Sequence, residues 1–167
     1  MESIFFIVVA AVAVISSILV VTCKNPINSA LSLVMTFFCL ATFYVMLDAP
    51  FMAATQVIVY AGAIMVLIIF VIMLLNVKAE SNKRGTHAVL AGTVIGIFVL
   101  FQTCWFLIKG SMTGLPGVMD KASIVKEGHV EMIGKALFTD FLLPFEITSI
   151  LLLAAIVGAV ILAKKKI

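Results

Sequence analysis

Five uninterrupted apolar runs decide what this chain can fold into. They extend from Ser3 to Cys23, Ile27 to Leu47, Phe51 to Leu75, His87 to Ile108 and Phe141 to Ala163. A helix rises 1.5 Å per residue, so roughly 20 residues cross the ~30 Å of hydrocarbon in a bilayer. The runs are continuous rather than alternating, which argues against the strands of a barrel. Lipid offers no partner for backbone N–H and C=O groups, so each run must satisfy its own as a helix. The expectation is an all-α integral membrane protein with about five transmembrane helices, forming a single membrane domain over residues 1–167. Composition agrees: 64% of the 167 residues are hydrophobic and 11% charged, against about 25% charged in soluble domains. The first run carries only Glu2 ahead of it and is too long for a secretory h-region, so it reads as a retained helix.

The breaks between runs are legible. Lys24-Asn25-Pro26 and Asp48-Ala49-Pro50 each put a proline where a helix can begin without losing a hydrogen bond. Asn76 to Thr86 is a polar loop with Lys78, Glu80, Lys83 and Arg84. The long connection 109–140 holds five glycines and Pro116, and His129 to Phe141 has the pattern of an amphipathic interfacial helix. With five spans, Lys24, Lys78, Lys83, Arg84 and Lys164-Lys165-Lys166 share one side, seven of the eleven basic residues. The positive-inside rule then puts the C-terminus in the cytoplasm, with the N-terminus and loop 109–140 outside. The net charge of +3 is thereby accounted for by topology, and no nucleic-acid partner is implied.

Little chemistry is available to the chain alone. Cys23, Cys39 and Cys104 are widely spaced and form no CxxC, which disfavours zinc and iron–sulfur sites. They read as small apolar packing residues. His87 and His129 are far apart, and Gly114-Leu115-Pro116-Gly117 is a turn sequence rather than a phosphate loop. The expectation is no catalytic residue, no metal and no cofactor bound by this chain.

Three features stand out. Glu146 is the acid inside a span, and an ionisable group there is a proton-path candidate. The alternative is structural: Pro144 suggests a helix start, where an acid in the first turn is favoured by the macrodipole. The third span contains Ala61-Gly62-Ala63, small residues that admit a neighbouring helix, and Gln56 and Tyr60 four apart, on one face of an α-helix. Gly92 and Gly96, with Ala154, Ala155, Gly158 and Ala159, are spaced for helix contacts within the chain or with partners.

The stretch QVIVYAGAIMVLIIFVIMLLN, Gln56 to Asn76, resembles the third helix of subunit J of proton-pumping NADH:quinone oxidoreductases, bacterial complex I. KNPINSALSL from Lys24 and IGKALFTDFLLPFEITSILLLAAIVGA from Ile133 are similar to the family's entries to its second and fifth helices. The fourth helix and the loop before Ile133 show no matching motif, and Gln56 stands where some relatives carry glutamate. The resemblance implies a multi-pass protein of the bacterial inner membrane, surrounded by other membrane-arm subunits and lipid and not a free monomer. It implies a non-redox role in a translocase whose FMN, iron–sulfur clusters and NADH site belong to other subunits, and which reduces quinone. It also implies a third helix that switches between α and π-bulge forms and gates a water path. Tyr60 and Gly62 become gating candidates on that ground.

The physics of such a gate is simple. A π turn inserts one residue, and removing it rotates the adjoining helix by about 100°. Met65, Leu67 and Ile68 would swing with it, and large aliphatic side chains exclude the water on which protons hop. The expected geometry is a π-type turn between Tyr60 and Ile68. Two other roles suit the same size and helix count: a small subunit of a multisubunit cation/proton antiporter, and a purely structural assembly subunit.

Overall fold

A computed structural model describes residues 2–75, 86–109 and 128–164 of the chain, the side chains of 86–91 excepted. Lys78, Glu80, Lys83, Arg84, Gly114 to Gly117 and Lys165 lie outside the described residues, as does the side chain of His87. The elements are α1 (Glu2–Thr22), α2 (Pro26–Met46), α3 (Pro50–Thr55), a π-helical segment (Gln56–Ile64), α4 (Met65–Leu75), α5 (Thr86–Lys109), α6 (His129–Phe138) and α7 (Leu142–Ala163). Among the described residues there is no strand. Five helical stretches are long and apolar enough to cross a membrane: α1, α2, the continuous Pro50–Leu75 stretch, Gly92–Lys109 of α5, and α7.

The chain divides into two units, residues 1–48 with 52–117, and residues 49–51 with 118–167. In the first, α1 and α2 pack side by side, and the π segment and α4 pack on α2. Asn25 caps α2, its side-chain oxygen accepting from the Ile27 N–H at 2.9 Å. That replaces one of the bonds a helix N-terminus lacks. The Ser29 hydroxyl reaches across to the Val20 carbonyl of α1 at 2.5 Å, tying the hairpin at its turn, and Phe6 meets Phe43 at 5.5 Å. Asp48 closes α2 with φ 56°, a left-handed conformation that Asp tolerates better than most residues. Six of the eight buried residues among those described are small, Ser16, Ala30, Cys39, Ala41, Ala53 and Ala61; the other two are Gln56 and Met65. Lipid is as apolar as a leucine side chain, so close backbone approach and dispersion drive this packing.

Every described side chain of α5 is exposed, and a Cβ on Gly92 or Gly96 would meet nothing within 4 Å. At the end of α5 the Lys109 ammonium lies 4.6 Å from the Trp105 ring centre. Trp and Lys at a span end suit the membrane–water boundary.

The second unit is built on α6 and α7. Gly128, with φ 88°, precedes α6 in a conformation that suits glycine. On α6, Glu131 and Lys135 lie on the exposed side, while Met132, Ile133, Ala136 and Leu137 are half-buried, the amphipathic division expected of the segment from His129. Phe138 packs edge-on against Phe145 of α7 at 5.0 Å. No residue of α7 is buried, and a Cβ on Gly158 would also meet open space.

Candidate functional site in the third span

The third span is helical from Pro50 to Leu75, but the middle of it is wound differently. Nine residues, Gln56–Ile64, form a π-helix, with α-helix before and after. At its end the Met65 N–H donates to the Tyr60 carbonyl, five residues back, and also to the Gly62 carbonyl, three back. The expected π turn is therefore present, but it begins at Gln56 and ends before Ile68.

Burial explains what the wider winding achieves. The buried residues of this span are Ala53, Gln56, Ala61 and Met65. Their spacings are three, five and four. Three and four are ordinary α-helical repeats of one face. Five is not: at 100° per residue it overshoots a full turn by about 140°. A π turn takes up the additional residue, so Gln56 and Ala61 both turn inward. Met65, 1% exposed, is the one fully buried large side chain among the described residues. Around it the segment is slim, since Ala61 and Gly62 bring little bulk. A Cβ on Gly62 would stand 3.2 Å from the Val57 carbonyl oxygen, a backbone atom that cannot swing aside.

The candidates do not all gather there. Gln56 is 8% exposed, whereas Tyr60 is 46% exposed. No hydrogen bond joins them among the described residues. The Tyr60 ring instead meets Phe37 of α2 edge-on, with centroids 6.0 Å apart and planes at 67°. Of the three bulky gating candidates only Met65 is inside; Leu67 and Ile68 are on the exposed surface. Sequence reasoning passed over Phe37, because one phenylalanine in an apolar run carries no signal. It also missed the five-residue spacing, which becomes visible only once burial is known.

Glu146 is exposed and belongs to the second unit. Helix α7 starts at Leu142, with Phe141 as its cap and a first bond from the Phe145 N–H to the Phe141 carbonyl. Pro144 therefore lies third in the helix, where it has no N–H to lose, and Glu146 falls just past the first turn. Of the two readings of Glu146, the acid in the first turn is not met by this start, since Glu146 is the fifth residue of α7. The macrodipole contribution falls off within that turn, which weakens the structural account of Glu146. Among the described residues no group of three or more His, Cys, Asp or Glu side chains stands close enough to hold a metal ion.

Comparison with known proteins gives a consistent result. Residues 16–162 match the family described as NADH-ubiquinone/plastoquinone oxidoreductase chain 6. The chain is 35% identical to the chloroplastic NAD(P)H-quinone oxidoreductase subunit 6 of Physcomitrium patens, over 99% of this chain and 84% of that one. It is 36% identical to NAD(P)H-quinone oxidoreductase chain 6 of a Synechocystis strain, over 98% and 81% respectively. It is 40% identical to the chloroplastic subunit 6 of Staurastrum punctulatum, over 84% and 78%.

Proposed function

Because the chain belongs to the NADH-ubiquinone/plastoquinone oxidoreductase chain 6 family, we propose that it is the subunit J equivalent of a proton-pumping NADH:quinone oxidoreductase. In this reading it helps couple quinone reduction to proton translocation by gating a water path with its third span. The observation that carries the reading is the π segment Gln56–Ile64, set in a regular helix and followed by the fully buried Met65. A π turn is a mismatch that the chain can relax in one step, and relaxing it rotates one half of the span against the other. With the α2 packing of Met65 fixed, the inward face bearing Ala53 and Gln56 turns away. With the Ala53 end fixed, Met65 leaves its pocket and the apolar barrier opens. Gln56, Tyr60, Gly62, Met65 and Ile68 are the gating candidates, and Glu146 the proton-path candidate of the second unit.

The chain binds no redox group in this proposal. FMN, the iron–sulfur clusters and the NADH site would belong to other subunits, and the described residues offer no thiolate cluster that suits iron and sulfur. The exposed small residues of α5 and α7 would meet the other membrane-arm subunits in the bacterial inner membrane. Isolation from that membrane tests the assignment: the chain should co-purify with an NADH:quinone oxidoreductase sensitive to quinone-site inhibitors. Recovery with antiporter subunits alone would overturn it.

Two outcomes follow for single positions. Glu146 lies past the first helical turn and has no ion-pair partner among the described residues. Glu146→Gln is therefore expected to leave assembly intact and to lower proton-coupled quinone reduction by about tenfold, the change in rate that 1.4 kcal/mol of barrier produces. Vesicles with full coupled activity would return Glu146 to a structural role. The charge asymmetry of the loops puts the C-terminus in the cytoplasm. A Lys165→Cys variant should accordingly resist an impermeant thiol reagent in intact cells and react in inverted vesicles. The reverse pattern would invert the topology.

A further inference from the structure

We infer that Phe37 of α2 is a positioning residue for the third span, holding the Gln56–Ile64 segment in its π form through the Tyr60 ring. The inference rests on the gating role proposed above and names what biases the gate. Tyr60 lies in the middle of the π segment, and its ring meets Phe37 edge-on at 6.0 Å and 67°. That is the geometry in which the positive edge of one ring faces the negative face of the other. Phe37 is half-buried, and α2 is a regular α-helix across this region, so it offers a fixed anchor. The π segment packs on that same helix.

The contact is specific to one winding. A tyrosine ring centre lies about 6–7 Å from its helix axis, and loss of the inserted residue turns the adjoining backbone by up to about 100°. Even half that rotation carries the ring roughly 5 Å, beyond the distance at which aromatic pairs attract. The Phe37–Tyr60 pair is thus made in the π form and lost in the α form. A contact present in only one of two states shifts their ratio by its own free energy. For an edge-to-face pair the shift is about two- to tenfold. The Tyr60 hydroxyl has no hydrogen-bond partner among the described residues, so the ring is the part that α2 recognises.

The experiment is electron cryo-microscopy of the intact complex during turnover, sorting particles by the winding of residues 56–64. Wild type, Phe37→Leu and Phe37→Tyr are compared. Leucine keeps apolar volume without a ring, and tyrosine keeps the ring. The π-to-α ratio should fall about two- to tenfold in Phe37→Leu and stay near wild type in Phe37→Tyr. Should the leucine variant not assemble, Phe37→Met fills the position with a more adaptable side chain and carries the same expectation. An unchanged ratio in the ring-free variant, or an equal fall in the tyrosine variant, overturns the assignment. A wild-type complex found π in every class would remove the switch from the proposed function. The role of Phe37 would still be decided, by whether α-wound particles emerge in the ring-free variant.

Discussion

Gly62→Val should reduce the quinone reductase rate of the assembled complex by about tenfold or more, with much less effect on assembly. The Cβ alone would come within 3.2 Å of the Val57 carbonyl oxygen. That oxygen is fixed in the backbone of the π segment and cannot retreat without disturbing the winding. Valine adds two methyl groups on the same carbon and is stiff about χ1. The strain falls on the π form, so in the proposed switch the segment is pushed toward α and its π state is depopulated. Ala63→Val is the matched control. Ala63 is exposed on the same segment, and its replacement adds the same branching where this chain offers space. The measurement is NADH:quinone reductase activity per assembled complex, with subunit content determined by quantitative mass spectrometry. Equal losses of activity and of content in Gly62→Val would reduce Gly62 to a packing residue.

The membrane class was legible because its cause is global. Continuous apolar runs leave helices as the solution, and Pro26 and Pro50 mark their starts by a local rule about the missing N–H. Asn25, not singled out in the sequence, caps α2 by the same kind of local chemistry. The candidate site was legible only in part. Gly62 and its alanine neighbours announced a slim, adaptable stretch, and the resemblance drew attention to Tyr60. The start of the π segment at Gln56 was not legible, because Gln56 and Tyr60 are its only polar side chains and the rest offers no hydrophobic stripe from which a change of period can be read. A polar face would have revealed the five-residue step from Gln56 to Ala61. In lipid, such a face has no reason to exist. Phe37 was hidden for the same reason. The fifth span, read as Phe141 to Ala163, begins within one residue of α7, and Pro144 lies third in that helix because a proline is tolerated anywhere in the first turn, not only at its first position.

Met65→Ala should uncouple the enzyme rather than stop it. Met65 is 1% exposed and follows directly on the π segment, its N–H shared between the Tyr60 and Gly62 carbonyls. Alanine removes three heavy atoms from the most enclosed point of the span. Comparable truncations in soluble cores cost about 2–5 kcal/mol, part of it from the cavity left behind. If Met65 is the apolar plug of a water path, the cavity thins the barrier against which a proton driven by 100 mV gains about 2.3 kcal/mol. Leakage then rises while electron transfer continues. Protons retained per NADH oxidised in inverted vesicles should drop by about half or more, with NADH oxidation maintained. Met65→Leu nearly conserves volume and costs less than about 1.5 kcal/mol in soluble cores, so it should pump close to normally. The two substitutions separate plug from packing. A packing residue would lose assembly and rate together in the alanine variant, at an unchanged proton yield per NADH. A plug loses yield first, and an assembled alanine variant with full yield would exclude Met65 from the gate.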